Sequence, residues 1–284
     1  MASMRNIKSR KSSIQSTQQI TKAMKLVSTV KLQRAKSRAE QSKAYFNCMY
    51  ETVKSMLAKT GAINHPYVLG NGSLKKAVIV ITSNRGLAGG YNTNITKLIT
   101  RGYLADEDLK IYTIGKKGRD GLAKAGYEMA ADYSDVIEEP IYSDAMEISR
   151  QVLADFVSGE VGEIYLAYTA FKNTVSHEPT LIKLLPVEAE QSVDTTGSKA
   201  LMNFEPEEVD ALDLIIPKYV TSLIYGGMVE SVASENGARM QAMDSATSNA
   251  DEMIDKLSLQ YNRARQGSIT QELTEIIAGA AAIS

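Results

Sequence analysis

The stretch Met240-Gln241-Ala242-Met243-Asp244-Ser245-Ala246-Thr247-Ser248-Asn249-Ala250-Asp251-Glu252-Met253, running on through Leu257 and Gln260 to Ala264, decides how this chain is read. Met240, Met243, Ala246, Ala250, Met253, Leu257, Gln260 and Ala264 recur every three or four residues. That spacing lines one face of an α-helix and, sustained over heptads, the seam of a coiled coil. The seam residues are small or flexible. They let a partner helix approach closely, but alanine buries little apolar area, so pairing is weak per residue. Outward from the seam, no proline follows Pro217, and Pro217 itself suits the first position of a helix. The spacing predicts one helix over 217–284, roughly 100 Å long. Gly226, Gly227, Gly237 and Gly267 each cost it about 1 kcal/mol against alanine, so partners must hold it.

The opposite end mirrors this one. Ser3 to Ala58 contains neither proline nor glycine, and Met4, Ile7, Ile14, Ile20, Ala23, Met24, Val27 and Val30 recur at helical spacing. A helix over 1–60 is expected, roughly 80 Å long, stopping before Gly61 and His65-Pro66. Between Met1 and Lys43 there are eleven basic residues and one acid, Glu40, whereas Glu205 to Ser284 carries thirteen acids and five bases. The net charge of −1 hides this split. Both long helices join one central segment, so opposite charge predicts an antiparallel pair forming a rod on a compact base. A basic tail that binds nucleic acid would produce the same split.

Composition narrows the classes. The 284 residues are 44% hydrophobic, which excludes a disordered chain, and 6% aromatic without tryptophan, which favours helices over a large β core. Cys48 is the only cysteine, so no internal disulfide is possible, and with His65 and His177 as the only histidines a His/Cys zinc site is not expected. No apolar run approaches the ~18 residues of a membrane span.

Residues 61–74 read as a linker and 75–190 as a small Rossmann-like α/β domain. Ala77 to Thr82 is a buried-strand run, Lys110 to Ile114 a second strand, Glu128 to Asp132 a third, and Glu163 to Phe171 and Thr180 to Pro186 two more. Helices are expected over Thr93–Leu104 with Asn92 as cap, over Lys116–Ala125 and over Asp144–Ser158. This alternation gives a mostly parallel sheet. Residues 191–216 read as a loop with a short helix.

The turn Ser83-Asn84-Arg85-Gly86-Leu87-Ala88-Gly89-Gly90 invites comparison with a dinucleotide loop, but Gly86-x-x-Gly89-Gly90 lacks the G-x-G-x-x-G spacing and no acid closes the second strand. A P-loop lysine is also missing. Ser176-His177-Glu178 is no triad, because adjacent strand residues point to opposite faces. The histidines read as surface or loop residues. No catalytic, metal or cofactor-binding residue is assigned.

Three segments carry a resemblance. They are Ile20-Thr21-Lys22-Ala23-Met24-Lys25-Leu26-Val27-Ser28-Thr29-Val30-Lys31-Leu32; Thr82 to Asn92; and Ser234 to Met243 continued by Tyr261 to Glu275, with the run Ile269-Thr270-Gln271-Glu272-Leu273-Thr274-Glu275. Together they closely resemble the gamma subunit of F-type ATP synthases of bacterial type. The resemblance implies a rotating central shaft that couples ion flow through the membrane sector to ATP synthesis or hydrolysis in a ring of alpha and beta subunits. It implies as partners those subunits, the epsilon subunit and the c-subunit ring, with no nucleic acid, no cofactor and no lipid insertion. It implies a peripheral place on the cytoplasmic face of the bacterial membrane. By motif position, Met24 and Lys25 lie where the family's shaft meets an acidic loop of beta, and Arg239, Gln266, Thr270 and Glu272 where it meets a second loop. Competing readings are a free-standing nucleotide-binding α/β domain using the Gly86–Gly90 turn, and a nucleic-acid-binding coiled coil using Lys8 to Lys43. The basic, serine-rich start is read as shaft, not as a transit peptide.

Overall fold

The computed structural model describes residues 4–60, 65–187 and 208–283. The chain divides into two compact units, Thr29–Arg239 and the pair of termini Met1–Ser28 with Met240–Ser284.

In the central unit, β1 (Lys76–Ile81) pairs in parallel with β2 (Leu109–Ile114) on one side and β4 (Glu163–Phe171) on the other; β3 (Met129–Asp132) extends the sheet beyond β2, and β5 (His177–Leu185) runs antiparallel to β4. The order is therefore β3-β2-β1-β4-β5. Ala77 to Ile81 is fully buried because β1 is central and covered on both faces. Its period of two sorts the side chains: Ala77, Ile79 and Ile81 enter one core with Tyr112, Phe156 and Leu166, while Val78 and Val80 enter a second with Ile95, Ile99 and Leu122. The first core is closed by α5 (Tyr142–Val157) and by α6 (Glu208–Ile283), the second by α3 (Tyr91–Thr100) and α4 (Lys116–Lys124).

Three sequence expectations change here. First, α6 does not begin at Pro217; it begins at Glu208, with Pro217 inside it. An interior proline forfeits a backbone hydrogen bond at about 3 kcal/mol. Leu212, Ile216, Val220, Ile224 and Met228 form a buried stripe in the core, each contributing about 1.5–3 kcal/mol, and this burial outweighs the loss. Residues 191–207, expected as loop and short helix, lie outside the described residues. Second, Asn92 is not the cap of α3. Gly90 is, and Asn92 sits in the first turn, where its Oδ1 accepts the Ser83 N–H at 2.9 Å. Third, neither histidine is a bystander on the surface. His65 is buried and caps α2 (Pro66–Leu69), its Nδ1 accepting the Tyr67 N–H at 3.1 Å. His177 packs its ring on Gly237 of α6, where a Cβ would come within 2.6 Å of Cε1. Burial pushes its pKa down.

In the terminal unit, α1 (Met4–Thr60) contributes its first residues and α6 its last. Gln18 meets Asp251, Thr21 Oγ1 meets Thr247 Oγ1 at 2.8 Å, and Lys25 Nζ meets Asp244 Oδ1 at 2.5 Å. As one number rises the other falls in step, so the two segments run antiparallel. The seam agrees with the expected one at Met240, Met243, Ala246, Ala250, Leu257 and Ala264, all covered or half-covered, and departs from it at Met253 and Gln260, which are exposed while Ile254 and Tyr261 are half-covered. From Met243, alternating steps of four and three run through Thr247, Ala250, Ile254, Leu257, Tyr261, Ala264 and Ser268. Along α1, up to Ser28, the covered or half-covered positions are Met4, Ile7, Lys11, Ile14, Gln18, Thr21, Met24, Lys25 and Ser28. The strict heptad admits these polar residues and turns Ile20 and Val27 outward.

Candidate functional site

The terminal pair inverts the usual placement of apolar groups. Thr21 and Ser28 are 9% and 2% exposed, while Ile20, Val27 and Val30 on the same helix are 60%, 58% and 51% exposed. With Ala23, the last three form a stripe on the outer face of α1, spaced three, four and three residues apart. Leu26 is exposed beside it. Toward the end of α6, Ile269, Leu273, Ile276 and Ile277 are also exposed. A helix pair that turns a stripe of aliphatic residues outward while its seam takes in Thr21 and Ser28 presents a surface suited to being enclosed.

The sequence-predicted site residues distribute around this surface. Met24 and Lys25 are half-buried at the edge of the pair, next to the α1 stripe. Lys25 is held by Asp244, an exposed ion pair of the kind worth little in isolation. Gln266, Thr270 and Glu272 are all exposed on the same stretch of α6 as Ile269 and Leu273. Thr270 Oγ1 donates back to the Gln266 carbonyl at 2.9 Å, so the two share a face one turn apart.

Arg239 departs from that group. It belongs to the central unit, is 9% exposed, and is occupied by the chain itself. Its Nη1 donates to Glu235 Oε1 at 2.6 Å, and its Nη2 donates, at longer range, to the carbonyls of Gly86 and Arg85 at 3.3 and 3.4 Å. Desolvation pushes the Glu235 carboxyl up, and Arg239 opposes this. The expectation of an outward contact residue is thus met by an inward clamp. The signal available in the sequence was the i, i+4 spacing of Glu235 and Arg239, which marks a helical ion pair.

The clamp sits on the glycine turn. In an open α/β sheet, ligands bind beyond the carboxyl ends of the strands where strand order reverses, here between β1 and β4. α6 covers that place. Ser234 Oγ donates to the Thr169 carbonyl at 3.0 Å, Tyr91 Oη donates to the Ser231 carbonyl at 3.2 Å, and α6 lies so close at Gly227 that a Cβ there would come within 3.0 Å of Leu166 Cδ2. The segment entering the turn is also bonded to the start of α4: the Lys116 N–H donates to Asn84 Oδ1 at 3.0 Å, the Lys117 N–H to the Ser83 carbonyl at 3.0 Å, and the Gly118 N–H to Thr82 Oγ1 at 2.8 Å. Gly115 and Gly118 are glycines because a Cβ on either would strike Thr82. Among the described residues no group of His, Cys, Asp and Glu could hold a metal ion, and no helix is long and apolar enough to cross a membrane. The nucleotide-binding reading of this turn is therefore not supported.

Comparison with known proteins agrees with this geometry over the whole chain. A family model described as ATP synthase matches residues 3–283. The ATP synthase gamma chain of Lachnoclostridium phytofermentans is 65% identical over 291 residues, covering 100% of both chains. That of Alkaliphilus metalliredigens is 43% identical over 99% of this chain and 98% of its own. The sodium-ion-specific ATP synthase gamma chain of Acetobacterium woodii is 39% identical over 99% of each. Among solved structures, a chain of the Euglena gracilis mitochondrial ATP synthase covers 99% of this chain and 94% of its own at a TM-score of 0.69 and 19% identity, a likeness of fold. The outward aliphatic stripe of the helix pair, the match of the family model over residues 3–283 and 65% identity over the full length of a gamma chain lead to one assignment: the chain belongs to the ATP synthase gamma-chain family.

Proposed function

We propose that this chain is the rotating central shaft of an F-type ATP synthase, that it performs no chemistry of its own, and that it binds no cofactor. The observation that carries this reading is the aliphatic stripe on the outer face of the terminal pair, Ile20, Ala23 and Val27, beside a seam that takes in Thr21 and Ser28. A pair built this way suits enclosure by a sleeve of other subunits, here the alpha and beta ring. The epsilon subunit and the c-subunit ring are the partners proposed for the central unit, on the cytoplasmic face of the membrane, with the chain peripheral to the lipid.

The mechanism needs only asymmetry. A two-helix shaft presents different residues at different angles to three chemically identical beta sites. Each angle therefore favours a different set of site conformations, and turning the shaft shifts nucleotide affinity from site to site through differential contact. Met24 and Lys25 are proposed as one angular contact with beta, and Gln266, Thr270 and Glu272 as another. A polar contact formed at one angle and lost at the next changes the energy by about 1–3 kcal/mol, enough to bias such a shift. Arg239 serves the same function indirectly, by holding the Gly86 turn to α6.

The test uses the assembled complex in sealed vesicles. Val27→Asp places a charge on the outer stripe and should weaken assembly or ATP-driven ion pumping. Met24→Lys adds a second cation beside Lys25 and should lower ions pumped per ATP while assembly persists. Failure of the chain to co-purify with alpha, beta and epsilon in fixed stoichiometry, or normal coupling in both variants, would overturn the reading.

A further inference from the structure

The chain contains two Asn-Gly dipeptides, Asn71-Gly72 and Asn236-Gly237. The pairing is chemically significant because glycine leaves the asparagine carboxamide carbon open to attack by the backbone nitrogen that follows it. The two dipeptides stand in opposite settings. Asn236-Gly237 lies within α6, where helical dihedrals hold the Gly237 nitrogen away from Asn236 Cγ and Asn236 Nδ2 donates to the Val232 carbonyl at 2.8 Å. Asn71-Gly72 lies in the link between α2 and β1. Both residues are exposed, Gly72 has φ +80°, and nothing lies within 4 Å of where its Cβ would be.

What restrains Asn71 is its own carboxamide. Nδ2 donates to the carbonyls of Phe156 and Val161, each at 2.7 Å, and Oδ1 accepts the Ser73 N–H at 3.1 Å. The first two bonds tie the link to the end of α5 and to the segment entering β4, and the third closes the link on itself. Phe156 and Val161 are themselves fully buried, so the carbonyls are fixed in place.

We propose that Asn71-Gly72 is a deamidation site that the fold holds shut and that opening of this corner releases. In the reaction the Gly72 nitrogen attacks Asn71 Cγ. A C–N bond forms to close a succinimide, the Cγ–Nδ2 bond breaks, and Nδ2 leaves as ammonia with the proton from the Gly72 amide. Water then adds to one or other ring carbonyl, giving aspartate or isoaspartate. No electrons are gained or lost. Cγ reaches the Gly72 nitrogen only after Nδ2 has released both carbonyls, so the rate follows the population of the opened corner. The change is one-way in structure as well as in chemistry. A carboxylate at residue 71 has no donor for the two carbonyls and sets acceptor against acceptor where hydrogen bonds had been. Each conversion leaves a corner that closes less well.

The test follows aspartate and isoaspartate at residues 71 and 236 by peptide mass spectrometry and enzymatic isoaspartate labelling at mildly alkaline pH. Samples are the assembled complex and the same protein in urea. In urea both sites should convert at similar rates. In the folded complex residue 71 should slow by roughly tenfold or more, the factor set by holding the corner closed. Val161→Ala, which loosens the corner without touching either dipeptide, should speed conversion at 71 and leave 236 unchanged. Asn71→Asp should lower the urea midpoint. Equal folded and unfolded rates at residue 71, or no acceleration in Val161→Ala, would overturn the proposal. Both readings survive a failure of Asn71→Asp to fold, because they use the natural residue.

Discussion

In the central unit the residues of β1 from Ala77 to Ile81 are all fully buried, and Thr82 just beyond them is bonded through its hydroxyl to the Gly118 N–H. In the terminal pair, Thr21 and Ser28 are buried in the seam while Ile20 and Val27 are exposed. The first arrangement is that of a structure stabilised by its own interior. The second buries a narrow seam, with Ile7, Met243 and Ala250 its most covered apolar members, and leaves further aliphatic area outside. The difference teaches that this chain should keep the integrity of its sheet independently of partners, whereas the outer residues of its helix pair acquire their full contribution only in an assembly.

Substitutions can break or sharpen that contrast. The largest effect is expected from Phe156→Ala, which empties a fully buried ring site beneath β1 and should cost about 3–5 kcal/mol in urea unfolding. A cost near that of a surface substitution would show that the central core is not what holds the unit. Next comes Arg239→Ala, expected to cost about 3 kcal/mol at neutral pH because it leaves the Glu235 carboxylate largely buried without its partner. The pH dependence has a definite sign. Burial raises the Glu235 pKa above the ordinary 4.5, so the native state binds the proton more readily than the unfolded chain. Removing Arg239 raises it further. The penalty of Arg239→Ala should therefore shrink as pH falls through the raised value toward 4.5. A penalty constant with pH would remove Glu235 from the explanation.

A smaller pair of effects compares the units along a single helix. Gly237→Ala in the central unit drives a Cβ into the His177 ring and should destabilise by about 1–3 kcal/mol despite the better helix propensity. Gly267→Ala in the terminal unit meets nothing within 4 Å and should instead stabilise helix formation by up to about 1 kcal/mol. Thermal unfolding of the two variants side by side checks the opposed signs. The smallest effect belongs to Lys25 and Asp244, whose double-mutant cycle should yield about 0.2–1 kcal/mol of coupling, as exposed ion pairs do. A coupling of several kcal/mol would mean that the terminal pair is held by its charges after all.

Much of the central unit was legible because β1 is a continuous apolar run and the strand–helix alternation is regular. The strand Glu163–Phe171 was placed at both ends, since its flanking turns are marked by glycine and by Lys172-Asn173. The helix pair was legible as a pair from its opposite charges, and its direction followed from both helices joining one central segment. Its phase was legible only in part. The periodic pattern passed through Met253 and Gln260 where the structure covers Ile254 and Tyr261, because steps of three and four are equally helical in either order and only the partner helix fixes which residue is covered. Pro217 hid the true start of α6 for a related reason: local cost is visible in the sequence, but the compensating burial of Leu212 and Ile216 is a tertiary fact. Met24, Lys25, Gln266, Thr270 and Glu272 were found through resemblance to the family, not through spacing, and the inward turn of Arg239 depends on the carbonyls of Arg85 and Gly86, over 150 residues away in sequence.

The three polar pairs between α1 and α6 also bear on slippage. Alanine and methionine form a smooth bearing, and two such surfaces fit nearly as well after sliding by one turn. Gln18–Asp251, Thr21–Thr247 and Lys25–Asp244 act as keys cut at fixed intervals: after a slide of one turn each would face a tooth of the wrong kind. Their modest strength matters less than their spacing, because it indexes one helix against the other under axial load.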